Sequence, residues 1–515
     1  MLTLLLPILI VFCVSARSIR RIYFHPLSKI PGPKLAAATH LYEFYHDVIR
    51  GGKFIWEIEK MHREYGNLPG PLFTPMLNYL EGPIVRINPR EVHIADPSMY
   101  DEIYAGCGRK REKDPCMVSS YASSYAALAT VDHDLHRARR GPLNPFFSKK
   151  AVIELSGVVQ QKVSLLAWHL ERVNAEQAVL ALSTAFTALT GDIITHYLYG
   201  KDNGYLRDRD LVKRNIVWDI LAKGTSACHL FRFFPFIPTL TKALPIRLMR
   251  LVRPELSNIY DMQEQIARQS DEALSREGAA KQKTIYHALS DPSVPASERS
   301  VARLRDESFI VLLGGTESTA ATLTFATYHL LRNKDMYIKL RQELQQVMPK
   351  PTSEANWAQL ERLPYLTAVV NEALRLGAAA LRPARVAPTE TLYYNGYGIP
   401  PGTPVSTISY FVHRNPAIFP DPESFNPERW VQAAERGDNL TKYLVPFTRG
   451  SRICIGMNLA YAELYMTLAA IVRRFDLELC GTRPEDMEFT REMIVQRPEK
   501  GVWTLKVRVV GISEA

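Results

Sequence analysis

Apolar positions follow several rhythms along this chain, and each rhythm predicts a different element. Residues Met1 to Ala16 are almost wholly apolar, and Arg17, Arg20 and Arg21 follow at once. That asymmetry marks a segment whose C-terminal side stays in the cytosol. A helix over residues 1–16 spans only about 24 Å at ~1.5 Å per residue, a marginal crossing of the ~30 Å hydrocarbon core. A cleaved signal peptide is the rival reading, but Val14-Ser15-Ala16 is a weak cleavage site, so residues 1–16 are read as an uncleaved transmembrane anchor. His25-Pro26-Leu27 and Pro31-Gly32-Pro33 make residues 17–33 a basic, proline-rich hinge, predicted to be stiff and extended because proline fixes φ and restrains the residue before it.

Further on, Val301 to Leu331 reads as one long helix without proline, interrupted by Gly314-Gly315-Thr316-Glu317-Ser318-Thr319. Two adjacent glycines cost about 1 kcal/mol each relative to alanine in a helix, so a packing or functional reason is expected. Met457 to Phe475 carries Leu459, Leu464, Leu468, Ile471 and Phe475 at helical spacing. Phe231 to Pro238 is too rich in aromatic residues and proline for a regular helix, and predicts an irregular, membrane-dipping access segment. The overall expectation is a mainly α fold with a small β subdomain, in which residues 34–515 form one catalytic domain.

Composition narrows the class. The 515 residues are 46% hydrophobic and 23% charged, the make-up of a globular chain with a large core and no linker or repeat to divide it. The net charge of +10 comes from basic residues scattered among acidic ones, which points to a membrane surface or an acidic protein partner, with no nucleic acid. Six cysteines, at 13, 107, 116, 228, 454 and 480, form no CxxC pair and no zinc-like cluster, as in a reducing, cytosol-facing environment. Asn439-Leu440-Thr441 is a formal glycosylation acceptor expected to stay unmodified there.

One cysteine stands apart. In Phe447-Thr448-Arg449-Gly450-Ser451-Arg452-Ile453-Cys454-Ile455-Gly456, Cys454 lies just before the 457–475 helix, where unpaired N–H groups and the helix dipole favour a thiolate. Gly450 and Gly456 let the backbone turn and approach a flat ligand, and Arg452 adds a cation for ligand carboxylates. This loop resembles the cysteine loop of the cytochrome P450 family, haem-thiolate monooxygenases, at Phe447, Gly450, Arg452, Cys454 and Gly456. The resemblance covers roughly residues 25 to 510 and implies the cytochrome P450 fold behind an N-terminal membrane anchor.

By that resemblance the iron of heme b (iron protoporphyrin IX) takes Cys454 as its cysteine thiolate axial ligand. Gly314 and Gly315 make room for oxygen between helix and haem, and Glu317 with Ser318 relays protons, serine standing where threonine is commoner. His136 and Arg140 match the aromatic-xxx-arginine pair that binds haem propionates, His replacing Trp, and Arg385 matches another propionate arginine at the start of a strand. Glu372 and Arg375, an ordinary i, i+3 pair when read alone, would join Arg429, in a proline-bounded non-helical setting, as a buried structural triad. Tyr121 and Tyr125 in the 116–127 loop would face the substrate. One segment departs from the family: Asn67 to Gly82 intervenes between Tyr65-Gly66 and the Pro83-Ile84-Val85 start of the first sheet, either a retained intron or a surface excursion.

The implied activity is insertion of one oxygen atom from O2 into a lipophilic small molecule, by hydroxylation or epoxidation, as in membrane-bound fungal enzymes of terpenoid or polyketide secondary metabolism. The implied electron donor is NADPH-cytochrome P450 reductase, with cytochrome b5 as an optional second partner, at the endoplasmic reticulum membrane with the catalytic domain facing the cytosol. Two alternatives stay open on sequence: a haem-thiolate isomerase or dehydratase that does not activate O2, and a non-catalytic membrane haem-binding protein.

Overall fold

In the computed structural model the first apolar run forms helix α1 (Leu2–Tyr23), which continues through Arg17, Arg20 and Arg21 where the sequence predicts an end at Ala16. Nothing in 17–23 breaks a helix, and the first proline after it is Pro26. Its 22 residues rise ~33 Å, of which the last two turns carry Arg17, Arg20 and Arg21. The structure describes residues 2–65, 83–211 except 107, 227–275 except 253, 255 and 256, 284–377, and 382–513. The 67–82 segment lies outside the described residues.

The hinge is turned, not extended. Ser28 N donates to His25 O (2.8 Å) and Ile30 N to Leu27 O (3.1 Å), and Leu27 and Ile30 are buried against Ile84 and Val92. The apolar residues between the prolines gain more by joining that core than by holding a straight spacer.

The core they join backs a five-stranded sheet of β1 (Ile84–Arg86), β2 (Val92–Ile94), β3 (Glu112–Lys113), β4 (Arg385–Val386) and β5 (Pro404–Ser406), in the order β1-β2-β5-β4-β3. The β2–β5 contact is parallel and the others are antiparallel. The β3–β4 register sets Lys113 opposite Arg385, residues 272 positions apart in sequence (385 − 113).

The larger core is helical. It is built by α2 (His133–Arg140), α3 (Leu182–Tyr199), α4 (Val301–Arg332), α5 (Pro364–Leu376), α6 (Glu428–Glu435) and α7 (Met457–Arg474). Leu323 and Leu330 of α4, Val369 and Ala373 of α5, and Leu464 and Leu468 of α7 are all but fully buried in one cluster. Helix α4 is long and apolar enough to cross a membrane, but most of it is enclosed by protein, which makes it a core helix.

Helix α4 is also unbroken, contrary to the predicted interruption at Gly314-Gly315. The two glycines have different reasons to be there. A Cβ on Gly315 would lie 2.6 Å from Ile194 Cγ1 of α3, so glycine lets the two helices close, and Thr190 Oγ1 seals the contact by donating to Thr316 O (2.7 Å). A Cβ on Gly314 would meet nothing, because that position opens on a cavity. Two more local expectations change. Phe231 to Pro238 is mostly helical, as Cys228–Phe233 and Phe236–Ala243 on either side of Pro235, whose φ of −64° suits a helix start. Arg429 sits in the first turn of α6, with Pro427 as its N-cap, so its setting is helical.

Candidate functional site

The cysteine loop is held by backbone geometry from both sides. Cys454 N donates to Phe447 O (2.9 Å), closing the loop, and Ser451 N donates to Ala105 O (3.3 Å) on the neighbouring segment. Thr448 and Gly450 have positive φ, 59° and 71°. At Gly450 a Cβ would fall inside the Tyr104 carbonyl oxygen. Gly450→Ala is therefore expected to destabilise by about 3 kcal/mol through left-handed strain and the clash, and to lower the haem content of purified protein; thermal melting and the haem-to-protein ratio would show it.

Arg452 spends its guanidinium on the backbone: Nη1 donates to Thr130 O (2.6 Å), Nη2 to Val131 O (2.7 Å) and Asp132 O (3.1 Å), and Nε to Arg111 O (3.4 Å). It thus staples the cysteine loop to the segment before α2. Arg140 Nη1 caps the Ile453 carbonyl, one residue from the cysteine, while its Nε donates to Asn144 Oδ1 (3.0 Å).

These residues line one cavity. Cys454 lies deep within the protein yet its side chain is accessible, because it opens into this cavity, with Phe447, Gly456 and Gly314 on the same walls. Burial pushes the Cys454 thiol up, and the Gly456 N–H and Arg140 only partly offset it. Burial thus works against the pull that the loop and helix N-terminus exert on this sulfur, and a coordinated cation would work with that pull, since it deprotonates a thiol ligand outright.

The fit to haem rests on charge. His136, Arg140, Arg385 and Arg452 converge on one wall, and Lys113 joins them from β3. Burial, Arg452, Lys113 and Arg140 hold His136 down to about 2, so its imidazole is neutral. Burial and then Arg385 pull Arg452 down to about 10, and burial, Arg385, Arg452 and Arg140 drive Lys113 well below the ordinary lysine range. Arg385 Nη1 finds only the Pro383 and Ala384 carbonyls (2.9 and 3.2 Å), and its Nε has no partner among the described residues. Packed cations that depress one another are the counterpart of a ligand with two carboxylates, which haem carries. Sequence reasoning missed Lys113, whose only signal is its place in a charged run.

The expected relay pair is split. Ser318 lines the cavity, its hydroxyl donating to Gly314 O (2.8 Å). Glu317 is buried and turned toward an ion pair with Arg497, which sequence reasoning did not foresee. Burial raises the Glu317 carboxyl and Arg497 draws it back. In the 116–127 loop, Tyr121 lines the cavity, whereas Tyr125 is half exposed and its N–H donates to Asp306 Oδ2 (3.2 Å).

Away from the cavity the structure brings Glu372, Arg375 and Arg429 together. Arg375 Nε and Nη2 donate to the two Glu372 oxygens (2.9 and 2.8 Å), and Arg429 Nε donates to Glu372 Oε1 (3.1 Å). Trp430 Nε1 donates to Glu372 Oε2 (2.9 Å), a fourth member that the sequence reading did not assign.

Comparison with known proteins gives the family. The pattern that defines the family described as Cytochrome P450 matches residues 77–505. Cytochrome P450 monooxygenase TRI4 of Trichoderma arundinaceum is 44% identical over 482 residues, 93% of this chain and 90% of that protein. Conidiogenone synthase PchP450 of Penicillium rubens is 42% identical over 95% of this chain and 96% of its own length. Cytochrome P450 monooxygenase aflU of Aspergillus parasiticus is 41% identical over 97% of each.

Proposed function

Since the chain belongs to the cytochrome P450 family, we propose that Cys454 is its axial iron ligand and that its cavity oxidises a lipophilic intermediate of fungal terpenoid or polyketide metabolism. The protein is a haem-dependent monooxygenase that takes O2, a lipophilic substrate and electrons from a redox partner. Bound haem b supplies the iron at which O2 is reduced and cleaved. The residues of this chain do the rest. Cys454 would hold that iron through its sulfur, and a thiolate ligand would favour O–O cleavage by donating electron density. His136, Arg140 and Arg385, with Lys113, take the two carboxylates, and Arg452 fixes the loop that carries the cysteine. Leu128, Ile310, Val311, Leu374 and Val495 supply an apolar wall that suits a hydrocarbon-rich substrate and excludes water. Ser318 holds a hydroxyl where a proton must pass.

The observation that carries this reading is the single cavity that joins Cys454 to a wall of five basic groups. The experiment is the difference spectrum of the reduced protein with and without carbon monoxide, followed by turnover with NADPH and reductase. A strongly red-shifted Soret band and product that depends on NADPH are expected. A band in the position of histidine- or thiol-ligated haem would remove Cys454 as the ligand, and product without NADPH would favour an isomerase.

The redox partner in this reading is an NADPH-cytochrome P450 reductase, with cytochrome b5 as an accessory. A groove bordered by Lys110, Arg137, Arg140, Ser451 and Ile453 supports docking of an acidic surface beside the cysteine loop. The site in the cell is the endoplasmic reticulum membrane, with α1 as anchor, residues 17–33 as connector and the domain from residue 34 facing the cytosol. Supporting this, Ile8, Val11, Phe12 and Val14 of α1 are more than half exposed. Leu41, Tyr45, Ile49 and Phe236 are also exposed, and Phe44 packs on Phe233 and Phe234 at 5.2 and 6.0 Å, which sets the two apolar segments side by side.

A further inference from the structure

Two carboxylates stand on the cavity wall, Glu463 of α7 and Glu307 of α4, and they are held differently. The Glu463 oxygens are enclosed and take no hydrogen bond from the described residues. Glu307 is fixed: its Oε2 accepts from Ala127 N (2.7 Å) in the 116–127 loop and from Arg303 Nη1, one turn back on α4. Arg303 is steadied in turn, its Nε donating to Glu298 Oε2 (3.2 Å), which also takes Arg139 Nε (2.8 Å) from α2. The other oxygen of Glu307, Oε1, receives no donor from the described residues and, unlike those of Glu463, is not closed off.

Helical spacing says where that oxygen stands. Taken in steps of three and four along α4, Glu307, Ile310, Val311, Gly314 and Ser318 share one face, and all of them line the cavity. Glu307 comes seven residues before Gly314 (314 − 307), about 10 Å along the axis at ~1.5 Å per residue. The wall between them is the apolar surface of Ile310 and Val311. A carboxylate accepts hydrogen bonds and does not donate them. Because Arg303 already meets its charge, it suits a neutral donor such as a hydroxyl better than a second cation.

We propose that Glu307 Oε1 anchors a hydroxyl group of the substrate, and that the carbon oxidised lies toward the other end of the molecule, about 10 Å from that hydroxyl. The proposal rests on the monooxygenase reading, whose substrate it narrows to a lipophilic alcohol. Such a substrate already carries oxygen, so a hydroxylation, a carbonyl reduction or the capture of water during ring closure must precede this step. The anchor also rejects: a hydrocarbon would strip water from Oε1 and replace it with nothing, and a ketone would set a second acceptor against it.

The test uses the full-length holoenzyme and two rigid series, decalin with 2-decalol and 2-decalone, and androstane with 3-androstanol and 3-androstanone. Binding is read from the spin-state shift of the oxidised haem. In the wild type the alcohol is expected to bind on the order of 10-fold tighter than its ketone. Glu307→Gln should abolish or reverse that preference, since its amide carbonyl takes the Ala127 N–H and turns an N–H toward the cavity, where a ketone accepts it. Glu298→Gln loosens the same chain of ion pairs away from the cavity wall and should keep the preference. With reductase and NADPH, the wild type should oxidise 3-androstanol at the end remote from its hydroxyl, and Glu307→Gln should scatter the products. If Glu307→Gln does not take up haem, Glu307→Asp, one methylene shorter, should narrow the gap between alcohol and ketone. Equal binding of alcohol and ketone by the wild type, a spin shift from no member of either series, or an alcohol preference that survives Glu307→Gln would overturn the assignment. The carbon monoxide spectrum separates the two ideas, because a wild type without the thiolate band defeats the haem-thiolate reading, whereas a normal band with no alcohol preference defeats only the anchor.

Discussion

Cys454→Ala is expected to leave a folded protein with no haem-thiolate spectrum and no measurable monooxygenase activity. The thiol takes only the Gly456 N–H; what closes the loop is the backbone bond from Cys454 N to Phe447 O, which alanine keeps. The Arg452 staples and the Arg140 contact to Ile453 O also survive, so thermal stability of the haem-free protein should change little. On the proposed reading, loss of the sulfur removes the group that would ligate the haem iron and, by donating electron density, favour O–O cleavage. The basic wall of His136, Arg140, Arg385 and Lys113 is intact in this variant, so residual haem uptake is compatible with the idea. An unchanged carbon monoxide band would refute it.

The second large effect lies far from the chemistry. Arg375 is fully buried and donates to both Glu372 oxygens, to the His413 and Pro422 carbonyls (2.7 Å each) and to Ser424 O (3.0 Å). Arg375→Ala leaves the Glu372 carboxylate with only part of its neutralising charge and takes this donor from the His413 and Pro422 carbonyls, while Ser424 O keeps Arg429 Nη2 (3.4 Å). Breaking a buried pair by removing one partner costs about 3–5 kcal/mol, a large share of a total stability of about 5–15 kcal/mol. The variant is expected to accumulate poorly, to melt well below the wild type and to contain little haem. Arg375→Lys should rescue only in part, since one ammonium cannot reproduce the fork that reaches a carboxylate and three carbonyls at once. A normal melting temperature and haem content in Arg375→Ala would show that the cluster does not hold the core.

The two variants differ in how far their surroundings could be read ahead of the structure. The cysteine loop is a matter of local backbone conformation. Positive φ at Gly450 and the start of α7 after Gly456 follow from residues within ten positions of one another. Glu372 and Arg375 share a helix face by their spacing of three, which sequence shows directly. Arg429 could be matched as a third member by pattern, but Trp430, on the same carboxylate, carried no signal of its own.

Local sequence was therefore sufficient for the helical class, the apolar first helix, the cysteine loop and the i, i+3 pair, because each depends on dihedral preference and periodicity over a turn or two. It misjudged the hinge, which folds onto the sheet, and the double glycine, which leaves α4 unbroken, since both depend on what the segment packs against. Only the tertiary structure decided that Lys113 stands opposite Arg385, that Glu317 turns to Arg497, and that Glu463 is left unpaired on the cavity wall. Those outcomes are set by burial and by partners that sequence places far apart. The charge state and direction of a buried side chain follow from the field of its neighbours, and those neighbours exist only once the chain has folded.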